Sequence, residues 1–183
     1  MASTINATTS SGIVATADNT GQLALQAAGT TVMTITSTGV TTQVGAPAFS
    51  AYGNAQTISN ASWTKISLQN EEFDTNNNFD STTNYRFTPT VAGYYQLTGS
   101  VYYGTTTGGA GLAIYKNGSE AKRGVISTGV SGVGTEPFVS SLIYFNGSTD
   151  YAELYIYQAS GGSVTTNGGS VLQYFQGFLA RSA

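Results

Sequence analysis

The chain has 183 residues and 40% hydrophobic content, enough for one compact domain with a core plus an appendage. Only 8% of residues are charged, against roughly 25% in ordinary globular proteins, and the net charge of -3 offers no basic footprint for nucleic acid or an anionic membrane. Cys and His are both absent, which excludes disulfides, zinc held by N/S ligands, cysteine nucleophiles and Ser-His-Asp triads.

In chain order, the opening MASTINATTSSG has neither a basic n-region nor an apolar h-region, so no secretory signal is read. No later run approaches the ~20 apolar residues that span a bilayer, and membrane insertion is not expected. Residues 1–46 form an arm in which Asp18 is the single charge and no aromatic occurs. Within it, Leu23 and Leu25 alternate as a strand would, Met33 and Ile35 match them, and Ala28-Gly29-Thr30 supplies a turn. Two strands this small are marginal alone; they become plausible if copies from several chains bury these faces together.

Pro47 marks a boundary, and residues 47–183 read as strand after strand: AFSAYG, TKISL, YRFTP, GYYQLTGSVYYG, GLAIYKNG, EPFVSSLIYF, DYAELYIYQ and QYFQGFLA. Asn117-Gly118, Asn146-Gly147, Gly161-Gly162 and Asn167-Gly168-Gly169 punctuate them as turns. No helical period is sustained, so the expected class is an all-β sandwich or jelly roll. Lys116, Lys122 and Arg123 form the local basic cluster and read as a solvated hairpin. Thr, Ser, Asn and Gly fill the remaining polar positions, a surface that can be covered by another subunit without stranding charges.

Tyrosines occupy an unexpected face. In DYAELYIYQ, Ala152, Leu154 and Ile156 point one way, while Tyr151, Tyr155 and Tyr157 line the other with Glu153 among them. An apolar ring with a polar tip suits subunit packing, plain solvent exposure and sugar stacking alike.

FDTNNNFD, residues 73–80, alternates like the opening of a calcium loop. An EF-hand starting at Asp74 requires Gly sixth and an acidic residue twelfth, but Phe79 and Tyr85 stand there. Glu71, Asp74 and Asp80 remain weak candidates for an irregular calcium site; otherwise no cofactor or metal is expected. Glu71 with Asp74 or Asp80 is also the candidate carboxylate pair for glycosidase chemistry. Acidic residues in a polar turn more commonly cap backbone N–H groups, and the chain is expected not to be an enzyme.

Leu68, Asp74, Phe79, Phe87, Gly93, Tyr95 and Leu97 fall almost on the signature of the C1q/tumour-necrosis-factor-like domain, which RFTPTVAGYYQLTGSV in particular resembles. YFQGFLA, with Phe175, Gly177 and Phe178, is similar to that family's last strand, and GLAIYKNGS to its central hairpin. Leu68 and Leu97 replace aromatics, Gly99 stands where an aromatic is usual, and one extra residue separates Phe79 from Phe87. The resemblance implies a ten-stranded jelly roll that assembles as a homotrimer, with an anchor on its N-terminal side, acting in recognition and assembly.

The segment ATADNTGQLALQAAGTTVMTITSTGVTT is similar to the Thr/Gly-rich β segments that precede trimeric tips in bacteriophage fibres and head-surface proteins. The two resemblances imply a virion surface protein assembled in the host cytoplasm. One expectation is a capsid decoration or cement protein held to the major capsid protein, or another virion protein, through residues 1–46. The other is the receptor-binding tip of a tail or head fibre that recognises a host-surface glycan or protein. At 183 residues beginning with Met, the chain reads as complete and too short for a full fibre, which favours decoration.

Overall fold

Strand-length alternation of apolar and polar residues, closed by turn residues, organises the chain. The computed structural model describes residues 20–43, 45–104, 108–129 and 133–183. Among these no helix occurs. The chain divides into two units, Met1–Gly45 and Ala46–Ala183.

In the first unit, β1 (Leu23–Ala27) and β2 (Thr30–Ile35) form a hairpin. Leu23 pairs with Ile35 and Leu25 with Met33, the match expected from the sequence, while Ala28 and Gly29 turn the chain at φ of 50° and 79°. The sequence reading lacked β3 (Thr41–Gln43), which pairs with β2 to complete a three-stranded sheet. Leu23, Leu25, Val32 and Val40 are exposed within this unit. The first nineteen residues of the arm, Asp18 included, lie outside the described residues.

The second unit is a sandwich. Its strands in order are β4 (Ala48–Tyr52), β5 (Thr57–Ile58), β6 (Thr64–Lys65), β7 (Asn70–Asp74), β8 (Phe79–Asp80), β9 (Arg86–Phe87), β10 (Gly93–Val101), β11 (Gly108–Lys116), β12 (Ser119–Arg123), β13 (Ser127–Gly129), β14 (Phe138–Phe145), β15 (Ala152–Gln158), β16 (Val164–Thr165) and β17 (Gln173–Ser182). One sheet runs β14-β10-β17-β4-β7; the other runs β12-β11-β15-β9-β8, with β13 on β11 and β6 on β15, and β16 pairs with β5 separately. The two five-strand paths supply the ten strands implied by the resemblance, and β6 and β13 are additions. Among the described residues every strand pair of the two sheets is antiparallel.

The core is aromatic at its centre. Phe49 stacks on Phe87 at 4.3 Å and on Phe79 at 5.2 Å, and meets Phe175 edge-on at 5.3 Å. Tyr95 continues the cluster against Phe87 and Phe145. Its hydroxyl donates to the Val91 carbonyl at 2.8 Å, and burial pushes its pKa up to about 12. Leu68 and Leu97, which replace aromatics, are both fully buried here. At Gly99 a Cβ would lie 2.6 Å from Leu154 Cδ1, so Leu154 of the facing sheet fills the volume that an aromatic would take. A Cβ on Gly93 would collide with the Arg181 carbonyl oxygen, so this glycine serves close strand approach. The β11–β12 hairpin turns at Asn117-Gly118 with φ of 53° and 76°, the signature of a two-residue hairpin turn.

Candidate functional site

Asp74 and Asp80 anchor the turns around β8. One Asp74 oxygen accepts from the Asn76 N–H at 3.2 Å and the other from the Phe79 N–H at 2.6 Å. Asn77 between them takes φ of 53°, where Asn is tolerated best among side-chain-bearing residues. Phe79 is thereby drawn into the core. Asp80 closes the next turn: Oδ1 accepts from the Thr82 and Thr83 N–H groups at 3.0 and 2.9 Å, and Oδ2 from the Asn84 amide at 2.7 Å. The Thr83 N–H first, then the Asn84 side chain and the Thr82 N–H, hold the Asp80 carboxyl well below the usual carboxylate range.

Glu71 and Asp80 share the rim of an open polar cleft of about 470 Å³ with Arg86, Ser81, Thr88 and Thr90; Asp74 does not line it. Arg86 lies over the Tyr151 ring at 4.3 Å. Among the described residues no group of three Asp, Glu, His or Cys side chains is placed to hold a metal ion. Both aspartates are engaged with turn N–H donors, the capping role open to such residues.

The sandwich has two outward faces of different chemistry. On the five-stranded sheet, Tyr94 pairs with Tyr144, Gln96 with Leu142 and Phe178, and Ser50 with Phe73. Phe73, Tyr94, Phe138, Leu142, Tyr144 and Phe178 are 41–53% exposed, with Ser, Thr and Gln between them and Arg181 opposite Tyr94 at the margin. A hollow of about 130 Å³ opens there between Phe73, Gln96, Thr98 and Phe178. Phe175 and Gly177 of the last strand face inward, whereas Phe178 stands on this outer surface.

On the seven-stranded sheet the expected tyrosine face forms. Ala152, Leu154 and Ile156 are fully buried, and Tyr151, Tyr155 and Tyr157 are half-buried on the other side. Tyr155 stacks on Tyr115 at 4.0 Å, and Trp63 tilts onto Tyr115 and Tyr157 at 6.0 and 5.6 Å. Burial, then Glu120 for Tyr115 and Glu153 for Tyr155, raises both phenol pKa values. Arg123 lies over Trp63 at 5.2 Å and pairs with Glu120, while Lys65 pairs with Glu153 at 2.8 Å. Sequence reasoning missed Trp63 and the exposed Phe and Leu of the five-stranded sheet. The signal for Trp63 was a single Trp in the polar stretch NASWTK; FVSSLIYF, apolar at both parities, gave none for Phe138 and Leu142.

No family model and no curated protein matches the sequence. The structure is similar to that of Eiger TNF from S. frugiperda, with a TM-score of 0.59 at 9% identity over 75% of this chain and 95% of that one. It is similar to the globular domain of zebrafish complement 1qA protein, with a TM-score of 0.54 at 16% identity over 75% and 99% of the two chains. PRD1 vertex protein P5 is a further match, with a TM-score of 0.56 at 17% identity over 74% and 98%. The fold is therefore an all-β jelly roll of the TNF/C1q type.

Proposed function

We propose that this chain is a non-enzymatic, self-associating surface module of a phage particle, working as a homotrimer. The observation that carries the reading is the unpartnered face of the five-stranded sheet. Six large apolar or aromatic side chains stand exposed on this one sheet face, interspersed with Ser, Thr and Gln, and a concentration of this kind marks a protein-binding surface. Charge lies at the margins, where Arg181 pairs with Tyr94 and Glu72 accepts from the Ser50 hydroxyl, and the hollow beside Phe178 offers a socket for a side chain of the next copy. The TNF/C1q-type fold supports self-association, and the likeness to a vertex protein supports a place on a virion surface.

Three chains of 18.9 kDa make 56.7 kDa. Light scattering is expected to return that mass; a stable species at the mass of one chain would refute the trimer. Within this reading the module decorates or cements a capsid, held to the major capsid protein or another virion protein through residues 1–46. Deleting those residues is expected to leave a soluble trimeric head that no longer attaches to particles.

The receptor-binding reading is favoured by a different observation, the Trp63–Tyr157 platform on the other sheet. Copy number decides between the two: hundreds of copies per purified particle fit decoration, a few fit a fibre tip. Hydrolytic chemistry is not proposed, because Asp80 is held by turn donors. Oligosaccharide turnover abolished by Asp80→Asn would reverse that judgement.

A further inference from the structure

The tyrosine face contains a trough that self-association through the opposite sheet leaves open. Along β11 the outward positions are Gly109, Gly111, Ala113 and Tyr115, and β15 sets Tyr157 against Gly111 and Tyr155 against Ala113. Trp63 and Tyr157 form one wall, and Ile126, 60% exposed, forms the other. Arg123 sits at the rim, and the whole encloses about 140 Å³. The floor is low because two glycines make it. A Cβ added at Gly111 would stand 3.6 Å from Ile126 and 3.8 Å from Trp63, filling the trough at ordinary contact distance.

From this trough we infer that the protein binds a neutral pyranose ring of a glycan between Trp63–Tyr157 and Ile126. The size fits one ring, since sites for larger ligands enclose about 300–1,000 Å³. Aromatic faces carry negative quadrupole charge and attract the polarised C–H groups on the apolar face of a sugar. Charge selects among sugars. The Nε and one terminal nitrogen of Arg123 donate to both Glu120 oxygens at 2.8 and 2.7 Å, so the rim carries no net charge to attract a carboxylate-bearing sugar. A guanidinium has five N–H donors, and two are used here. The rest, with the remaining lone pairs of Glu120, are hydrogen-bonding capacity that ring hydroxyls can use. The Lys65–Glu153 pair further along the same face is likewise balanced.

The inference deepens the receptor-binding reading but stands apart from the trimer. Sugar binding is measured on the full chain without particles, and the trimer by mass, so either can fail while the other holds. Trp63 is the single tryptophan, so its emission reports on the trough directly. The probes are the methyl glycosides of galactose, glucose, mannose and N-acetylglucosamine, with methyl sialoside as the anionic counterprobe. At least one neutral glycoside is expected to shift the emission saturably and the sialoside not to. Gly111→Ala, with an unchanged Tm, is expected to weaken that response about tenfold, comparable to losing one good ring contact; Gly109→Ala is the second variant should the first fold poorly. No saturable response to any neutral probe, a stronger response to the sialoside, or an undiminished response in the glycine variants overturns the site. A change in light-scattering mass on Gly111→Ala overturns it as well, because the trough would then be covered by a second copy.

Discussion

The two outer faces of the sandwich are built on the same alternation yet meet their surroundings differently. On the five-stranded sheet the outward positions of β14 read Phe138, Ser140, Leu142 and Tyr144, exposed rings and aliphatics with neutral polar spacers. On the seven-stranded sheet the rings lean on one another, as Trp63, Tyr115, Tyr155 and Tyr157 do, and ion pairs close the margins. Side chains that find partners within the chain need no second copy to shelter them. On the five-stranded face Tyr94 and Tyr144 tilt together at 5.4 Å yet stay exposed, while Phe73, Phe138 and Phe178 have no ring partner among the described residues; burial against another copy would remove them from water at roughly 25 cal/mol per Å². The lesson is that aromatic content alone does not identify an interface; what the rings already touch does.

The strongest challenge to this contrast is a charge on each face in turn. Leu142→Asp with Phe178→Asp is expected to take the assembly from 56.7 kDa to 18.9 kDa in light scattering, because a desolvated carboxylate without a partner is very costly. Ile126→Asp, at a still more exposed position on the other face, is expected to leave the mass unchanged; dissociation there would invert the assignment. Next in size is Phe87→Ala. This ring lies between the sheets, so its loss should weaken both faces together by about 3–5 kcal/mol in denaturant melts. A loss confined to Trp63 emission, with the mass intact at low denaturant, would show that the sheets unfold separately.

A smaller effect isolates one edge of the seven-stranded sheet. Asp80 has a folded-state pKa below its ordinary value of 3.8, so its turn bonds stabilise the fold in full above that value. The contribution is lost as pH falls below 3.8 toward the folded-state value. Asp80→Asn is therefore expected to lower Tm most at neutral pH, with the gap to wild type closing in acid. A gap independent of pH would mean that the carboxylate charge contributes nothing. Smallest of all is the effect of calcium: Tm in EDTA and in excess calcium is expected to agree, and a rise with calcium would revive Glu71, Asp74 and Asp80 as ligands.

Much of the fold was legible because strand periodicity is local. Phe79, Phe87 and Tyr95 could be assigned to the core from residue type and resemblance, and Leu23–Ile35 pairing followed from a turn and two alternating runs. Asn117-Gly118 announced its hairpin through residue type alone. The outward surfaces were less legible. Tyr151, Tyr155 and Tyr157 were placed on the right side of their strand, but which rings would cover them depends on Trp63 and Tyr115, which are distant in sequence. Phe138 and Leu142 were hidden because the strand FVSSLIYF is apolar on both sides, so alternation carries no sign. The trough was invisible for the same reason: a glycine in a strand reads as a weakness, and only its neighbours make it a floor.

The exchange of size between Gly99 and Leu154 has a consequence for how such a sequence can drift. A larger residue at 99 collides with Leu154, and a smaller one at 154 opens a cavity that typically costs about 2–5 kcal/mol. Each single change is penalised, while the paired change restores volume, so the two positions are expected to be coupled in a double-mutant cycle. Replacing Gly99 by an aromatic therefore requires Leu154 to shrink with it, because either change alone is penalised.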